Sequence, residues 1–283
     1  MASSALLGGT LYRSLRESTS IRGGFLWHNV FGAELHYKLL AQGDAFMPKI
    51  YAGTSGWAYS TWKPDFYPAK LASAKFLGHY ATRLNSVEVN YTFRSFPTAK
   101  LLQGWLAATP PEFKFGIKAN QRITHFKRLR GAAPLATEFI TTLEPLEKAG
   151  KLGPVLFQLP PNLKCDVPLL TEFLVGLPSH VRIAFEFRDP SWFADEVFAA
   201  LRKRNVAVCL AESEQIQTPP VQTADFSYLR LRKEEYSAKD LREHVERIAE
   251  LGRQGEVFAY FKHEETPQGA LHAEAVLATA KAK

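Results

Sequence analysis

Glu88, Lys118, Gln158, Glu186 and Arg230 each sit near the end of a short apolar run. Their types suit acid–base and anion-binding chemistry. Paired carboxylates can serve as acid and base. Lysine and arginine can hold negative charge that develops during a reaction. Lys118 ends FKFGIKA, so its side chain is expected at the edge of an apolar interior, where burial depresses an ammonium pKa. A lysine so placed can bind an anion, pair with a glutamate or form a Schiff base. In SVEVNYT and RIAFEFR, strand alternation sets Glu88 and Glu186 on the face of apolar neighbours two residues away. A lone carboxylate there needs a partner or a ligand. Glu88, Lys118 and Glu186 are therefore the expected catalytic groups; a structural salt bridge with Lys118 or Arg230 would explain the same pattern without chemistry.

Other residues suit ligand binding. Asn90 and Gln158 supply neutral hydrogen-bonding groups beside the charged ones. Between residues 118 and 130 lie Arg122, His125, Lys127, Arg128 and Arg130, a basic stretch that can fork onto phosphate or carboxylate or remain a solvated loop. Trp57, Tyr59, Trp62, Phe66, Tyr67, Trp192 and Phe193 could stack on a sugar or base, or pack loops onto the protein. His125 and His263 could shuttle protons or ligate a metal, or do neither on a surface loop. No cluster of histidine and aspartate has the spacing of a metal pair, and neither metal nor cofactor is expected. Cys165 and Cys209 are the two cysteines. Cys209 reads as core packing in an apolar run.

Eight strand-like runs must hold these groups: KIYAGTS, SVEVNYT, FKFGIKA, PVLFQLP, RIAFEFR, AVCLAES, SYLRLR and VFAYFKH. Glu212 and Lys262 also lie at such ends. Helical patterns separate the runs. Phe76, Leu77, Tyr80, Ala81 and Leu84 form one apolar stripe. Pro97 and Pro134 are expected to open helices, and Ser237 with Asp240 forms a capping box before a helix burying Leu241, Val245, Ile248 and Ala249. Strand–helix alternation requires parallel pairing and right-handed crossovers. The expected fold is an α/β, TIM-type (β/α)8 barrel. The segment ESEQIQTPPVQTA has no helical period, so the sixth helix is expected to be degenerate or missing. A doubly wound open sheet is the alternative, but GTSGW does not match a dinucleotide fingerprint. A barrel gathers the carboxyl ends of its strands at one rim, where active sites are built.

Residues 47–283 approach the roughly 250 of a single barrel domain. Residues 1–46 lack the alternation and read as an N-terminal extension, disordered, targeting, or upstream of a true start at Met47. The net charge of +7 favours anionic ligands slightly. No apolar run reaches a membrane span, and the sparse cysteines suit a reducing compartment; a soluble, cytoplasmic protein is expected.

The strings YAGTSGWAYSTWKPDFYP, VEVNYTF, KFGIKANQRITHFKRLR, GPVLFQLPPN, FEFRDPSW and YLRLR resemble the domain of unknown function 72, or YecE-like, family. The resemblance implies a barrel similar to sugar-isomerase and apurinic-endonuclease folds, and implies no particular reaction. It marks Gly53, Ser55, Gly56, Trp57, Glu88, Asn90, Lys118, Gln158, Glu186, Arg188, Trp192 and Arg230, and so adds Ser55 and Arg188 to the expected ligand-binding residues. This chain departs from the family pattern at Arg94, Asp189, Arg232, Lys262 and His263; the cationic swaps should make the mouth more positive. Three functions fit: an enzyme acting on an anionic small molecule such as a sugar phosphate or nucleotide fragment, a nucleic-acid binder or phosphodiesterase, or a non-catalytic ligand-binding scaffold. The residues leave oligomeric state open.

Overall fold

A computed structural model describes residues 49–213, 216–233, 235–262 and 265–281. The N-terminal extension expected over residues 1–46, and His263, lie outside the described residues. Eight parallel strands form a nearly closed barrel in the order β1-β8-β7-β6-β5-β4-β3-β2. They are β1 (Ile50–Thr54), β2 (Ser86–Val89), β3 (Lys114–Lys118), β4 (Leu152–Gln158), β5 (Ile183–Glu186), β6 (Ala207–Glu212), β7 (Phe226–Leu231) and β8 (Glu256–Phe261). The helices are α1 (Phe76–Arg83), α2 (Ala99–Ala108), α3 (Ala133–Thr141), α4 (Glu144–Lys148), α5 (Val167–Val175), α6 (Asp195–Lys203), α7 (Ala238–Gln254) and α8 (Gln268–Lys281). The doubly wound alternative is excluded, because an open sheet would not bring β1 beside β2.

The local signals mostly act where expected. Pro134 lies in the first turn of α3, and both arms of the Ser237–Asp240 capping box form at α7. Pro97 stands just outside α2; the Thr98 hydroxyl caps that helix by accepting from the Leu101 N–H. Between β6 and β7 the described residues contain no helix. Thr218 and Thr223 replace it, bonding to the Ala211 and Val208 N–H groups. The space a helix would fill is a pocket lined in part by Leu210, Val221, Arg247 and Leu251.

The strands present two unlike faces. Outward, Val87, Val89, Ile117, Val155, Phe157, Ile183 and Phe185 belong to the main apolar cluster that also takes in residues of the helices. Inward, a second cluster sets small residues (Ala184, Ala207, Cys209 and Ala211) against Phe226, Tyr228, Phe258 and Tyr260. This corrects one expectation. Glu88 shares its face with Ser86 and Asn90, and Glu186 with Ala184 and Arg188, so the carboxylates lie on the polar, inward face. The apolar neighbours point to the helices.

Barrel closure depends on side chains. Between β1 and β2 the backbone supplies a single bridge, Ser55 with Glu88, and a Gly56 N–H bond to the Glu88 carbonyl at 2.9 Å. Lower down, the Asn85 amide donates to the Ile50 carbonyl and accepts from the Ala52 N–H. The Tyr80 hydroxyl accepts from the Thr54 N–H at 2.8 Å and donates to the Ser86 carbonyl at 2.9 Å. Each would otherwise be an unpaired strand edge. Gly53 permits the approach, since a Cβ there would fall 1.8 Å from the Ser86 oxygen.

Candidate functional site at the C-terminal mouth of the barrel

Register places the charged strand ends at one level. Gln158 stands opposite Glu186, and Arg230 lies between Ala211 and Tyr260. The small Ala211 leaves the Arg230 guanidinium room to cross the barrel. There it donates through Nη2 to Glu88 Oε1 at 2.8 Å and through Nη1 to Glu186 Oε2. The Glu88–Arg230–Glu186 chain is almost fully enclosed, with Glu88 0%, Arg230 3% and Glu186 6% exposed.

Every acceptor of this chain is engaged. Glu88 Oε1 also accepts from Ser55 Oγ at 2.6 Å and Arg232 Nη2 at 3.1 Å, and Oε2 accepts from the Tyr228 hydroxyl at 2.7 Å. Arg232 bonds Ser55 Oγ as well. Glu186 Oε1 accepts from Gln158 Nε2 at 2.8 Å. Beneath them Tyr228 and Tyr260 form a buried floor, with ring centroids 5.3 Å apart, and Tyr260 is tied to Ser86. Gly116 makes space for that phenol, because a Cβ would meet its oxygen at 2.6 Å.

These partners set the protonation states. Burial pushes the Glu88 carboxyl up, but Arg230 and Arg232 outweigh it and hold its pKa at about 2. The same opposition lowers Glu186. Both carboxylates therefore stay ionised near neutral pH, and each of their oxygens already accepts at least one hydrogen bond.

Lys118 is the contrasting group. Burial, then the Arg230 charge, lowers its pKa to about 8, against the opposing pull of Glu88 and Glu186. Its Nζ lies 4.3 Å from the centre of the Phe93 ring. It makes no ion pair among the described residues, since the neighbouring arginines already take up the carboxylates. The His125 ring meets the same Phe93 edge-on at 5.0 Å, and its Nδ1 lies 2.9 Å from Thr124 Oγ1. Burial and the charges of Lys118, Arg188 and Arg128 lower the His125 pKa. A π-helical turn, Arg122–Phe126, carries His125; such turns recur at functional sites.

The remaining expected residues fall into two groups. Ser55, Gln158 and Arg230 join the network, whereas Arg188 and Arg122 are exposed. Asn90 follows β2, with its Oδ1 buried and without a hydrogen-bond partner among the described residues. Trp192 belongs to the packing instead. It is 0% exposed, stacks on Phe187 at 4.8 Å and donates its indole N–H to the Leu163 carbonyl. Trp57 meets Trp105 of α2 edge-on. Arg128 is bonded to Asn162, and Arg130 pairs with Asp166, so part of the basic stretch fastens one loop to the next. Glu212 pairs with Lys233 and the buried His244. Cys209 lies in the inner cluster.

Sequence reasoning missed Tyr228 and Phe93 as site residues and noted Arg232 only as added positive charge. Alternation in FSYLRLR, which sets Tyr228, Arg230 and Arg232 on one face, was the available signal for two of them. Among the described residues, no group of three or more His, Cys, Asp or Glu side chains is placed to hold a metal, and no helix is long and apolar enough to cross a membrane.

The chain is 32% identical over 146 residues to the UPF0759 protein YecE of Escherichia coli strain K12, covering 51% of this chain and 50% of that protein. It is 32% identical over 154 residues to the UPF0759 protein YunF of Bacillus subtilis strain 168, 51% and 52% of the two chains. The matches thus span about half the length of these curated relatives. A crystal structure of a DUF72 family protein from Thermotoga maritima MSB8 superposes with a TM-score of 0.74 at 26% identity, over 82% of this chain and 99% of that one. The model of the family described as protein of unknown function DUF72 matches residues 51–283, and the chain belongs to that family.

Proposed function

We propose that the barrel mouth binds an anionic small molecule, of the size of a sugar phosphate or nucleotide fragment, and acts on it as an enzyme. The observation that carries this reading is the charge balance. Glu88 and Glu186 are matched by Arg230 and Arg232, which leaves Lys118 and Arg188 as surplus positive charge around the His125 ring. A second observation supports it: the buried Nε atoms of Arg230 and Arg232 and the Oδ1 of Asn90 have no hydrogen-bond partner among the described residues. Unsatisfied buried polar atoms in a native protein call for an explanation, and a ligand-binding or catalytic role is one.

In this reading the Glu88–Arg230–Glu186 chain fixes the charge of the mouth, and Lys118 is the group that exchanges protons or meets the substrate. Nucleic acid is the less favoured occupant, because Arg128 and Arg130 are engaged with Asn162 and Asp166. The test is a thermal-shift and calorimetric screen of phosphorylated metabolites beside short DNA and RNA, with wild type and Lys118→Met. The expected result is stabilisation by a small phosphorylated compound, weakened at least tenfold in the variant. Binding only to polynucleotide, with a steep salt dependence, would replace the small-molecule reading; no binding by any of them would leave the scaffold.

A further inference from the structure

Lys118 is unusual for a half-buried lysine in a charged ring. Two carboxylates act on it electrostatically, yet neither pairs with it. Glu88 is held by Arg230, Arg232, Ser55 and Tyr228, and Glu186 by Arg230 and Gln158. Its contact is the face of Phe93, which steadies a cation without offering its N–H groups a lone-pair acceptor. A purely structural lysine is normally tied to a carbonyl or carboxylate. Lys151 in this molecule is so tied, to the Leu106 and Thr109 carbonyls and the Thr109 hydroxyl.

We infer that the Lys118 amine is a nucleophile that forms an imine with an anionic aldehyde or ketone held at the mouth. The inference rests on the anion-binding reading above and deepens it by naming the reactive group of the ligand, a carbonyl carbon. In the step, the Nζ lone pair of the neutral amine attacks that carbon. A C–N bond forms as the carbonyl π pair moves to oxygen. The oxygen takes one proton from Nζ and one from solvent and departs as water, leaving a protonated imine on Lys118. No oxidant or reductant is consumed. The ring of charges suits both halves of the reaction: a lysine desolvated beside other cations is neutral more often at physiological pH, and the cations at the rim hold the anionic end of the carbonyl compound.

The experiment uses the full chain with pyridoxal 5′-phosphate as an anionic aldehyde and pyridoxal as its counterpart without phosphate. The imine is reduced with borohydride and the adduct mapped by peptide mass spectrometry, with inorganic phosphate as competitor and Lys118→Arg and Lys118→Met as controls. The expected result is a dominant adduct on Lys118 at equimolar probe, at least tenfold above any other lysine, suppressed by inorganic phosphate and at least tenfold weaker with pyridoxal. Adducts spread over surface lysines with Lys118 unmodified would overturn the inference. Calorimetry on the same samples separates the two claims. Phosphate binding without a Lys118 adduct would remove the imine and keep the anion site. Equal labelling of Lys118 by pyridoxal, unaffected by phosphate, would keep the amine chemistry and remove the anion site.

Discussion

At the N-terminal end of the barrel, Glu256 pairs with Lys49 and Arg182, and these side chains are 19%, 67% and 43% exposed. At the C-terminal end Arg230 joins Glu88 and Glu186, and the corresponding values are 4%, 0% and 8%. Both ends hold Glu–Arg pairs on inward-facing strand positions, one Glu between two cations below and one Arg between two carboxylates above, and the exposure to solvent differs. Charges that remain in water gain little from pairing. Charges removed from it must be compensated almost completely, and breaking one such pair is costly. The upper ring therefore has little thermodynamic reason to exist as a stabilising device, since apolar residues could fill the space as well. Its presence there fits the division of a barrel into a stabilising end and a working end.

The sharpest way to break this contrast is Arg230→Met beside Arg182→Met. The first strands two buried carboxylates and should cost about 3–5 kcal/mol in urea unfolding; the second should stay within about 1 kcal/mol. Similar losses at both ends would mean that the upper ring is not sealed from water. Acid should separate the ends next. Glu88 titrates at about 2 in the folded protein and at the ordinary 4.5 when unfolded, so its contribution is fully present above about pH 4.5. It is lost progressively as pH falls towards 2. Urea midpoints measured from pH 6 to 3 should drop steeply for wild type and less steeply for Glu88→Gln, which starts lower. Parallel profiles would deny the shift. Tyr80→Phe, which leaves the Thr54 N–H and Ser86 carbonyl at the β1–β2 seam without their partner, should cost about 1–3 kcal/mol. Lys118→Met should change stability least, within about 0.5 kcal/mol; a large loss there would indicate a structural lysine.

Much of this arrangement could be read from the chain before folding was considered. Strand ends announce themselves because a charge closing an apolar run has few places to go, and parallel topology then gathers those ends. What the chain could not display was who pairs with whom. Glu88 and Arg230 are 142 residues apart, so nothing local indicates that Arg230 would reach across to both carboxylates and leave Lys118 without either. Phe93 was invisible for another reason. It lies in a short 3-10 turn, Tyr91–Phe93, where neither the strand nor the helix period applies. Trp192 looked like a binding aromatic because loop position gives no sign of which way an indole packs.

The claim that the arginines consume Glu88 and Glu186 and leave Lys118 as a partly desolvated amine paired with neither is tested most directly by titrating Lys118 itself. Carbon-13 NMR of the lysine ε-methylene groups, assigned with Lys118→Arg, would follow its ionisation from pH 6 to 11. The account predicts one lysine with a midpoint near 8, as the surroundings of Lys118 require. A midpoint for Lys118 at the ordinary value of 10.5 or above would show a paired or solvated ammonium and contradict it.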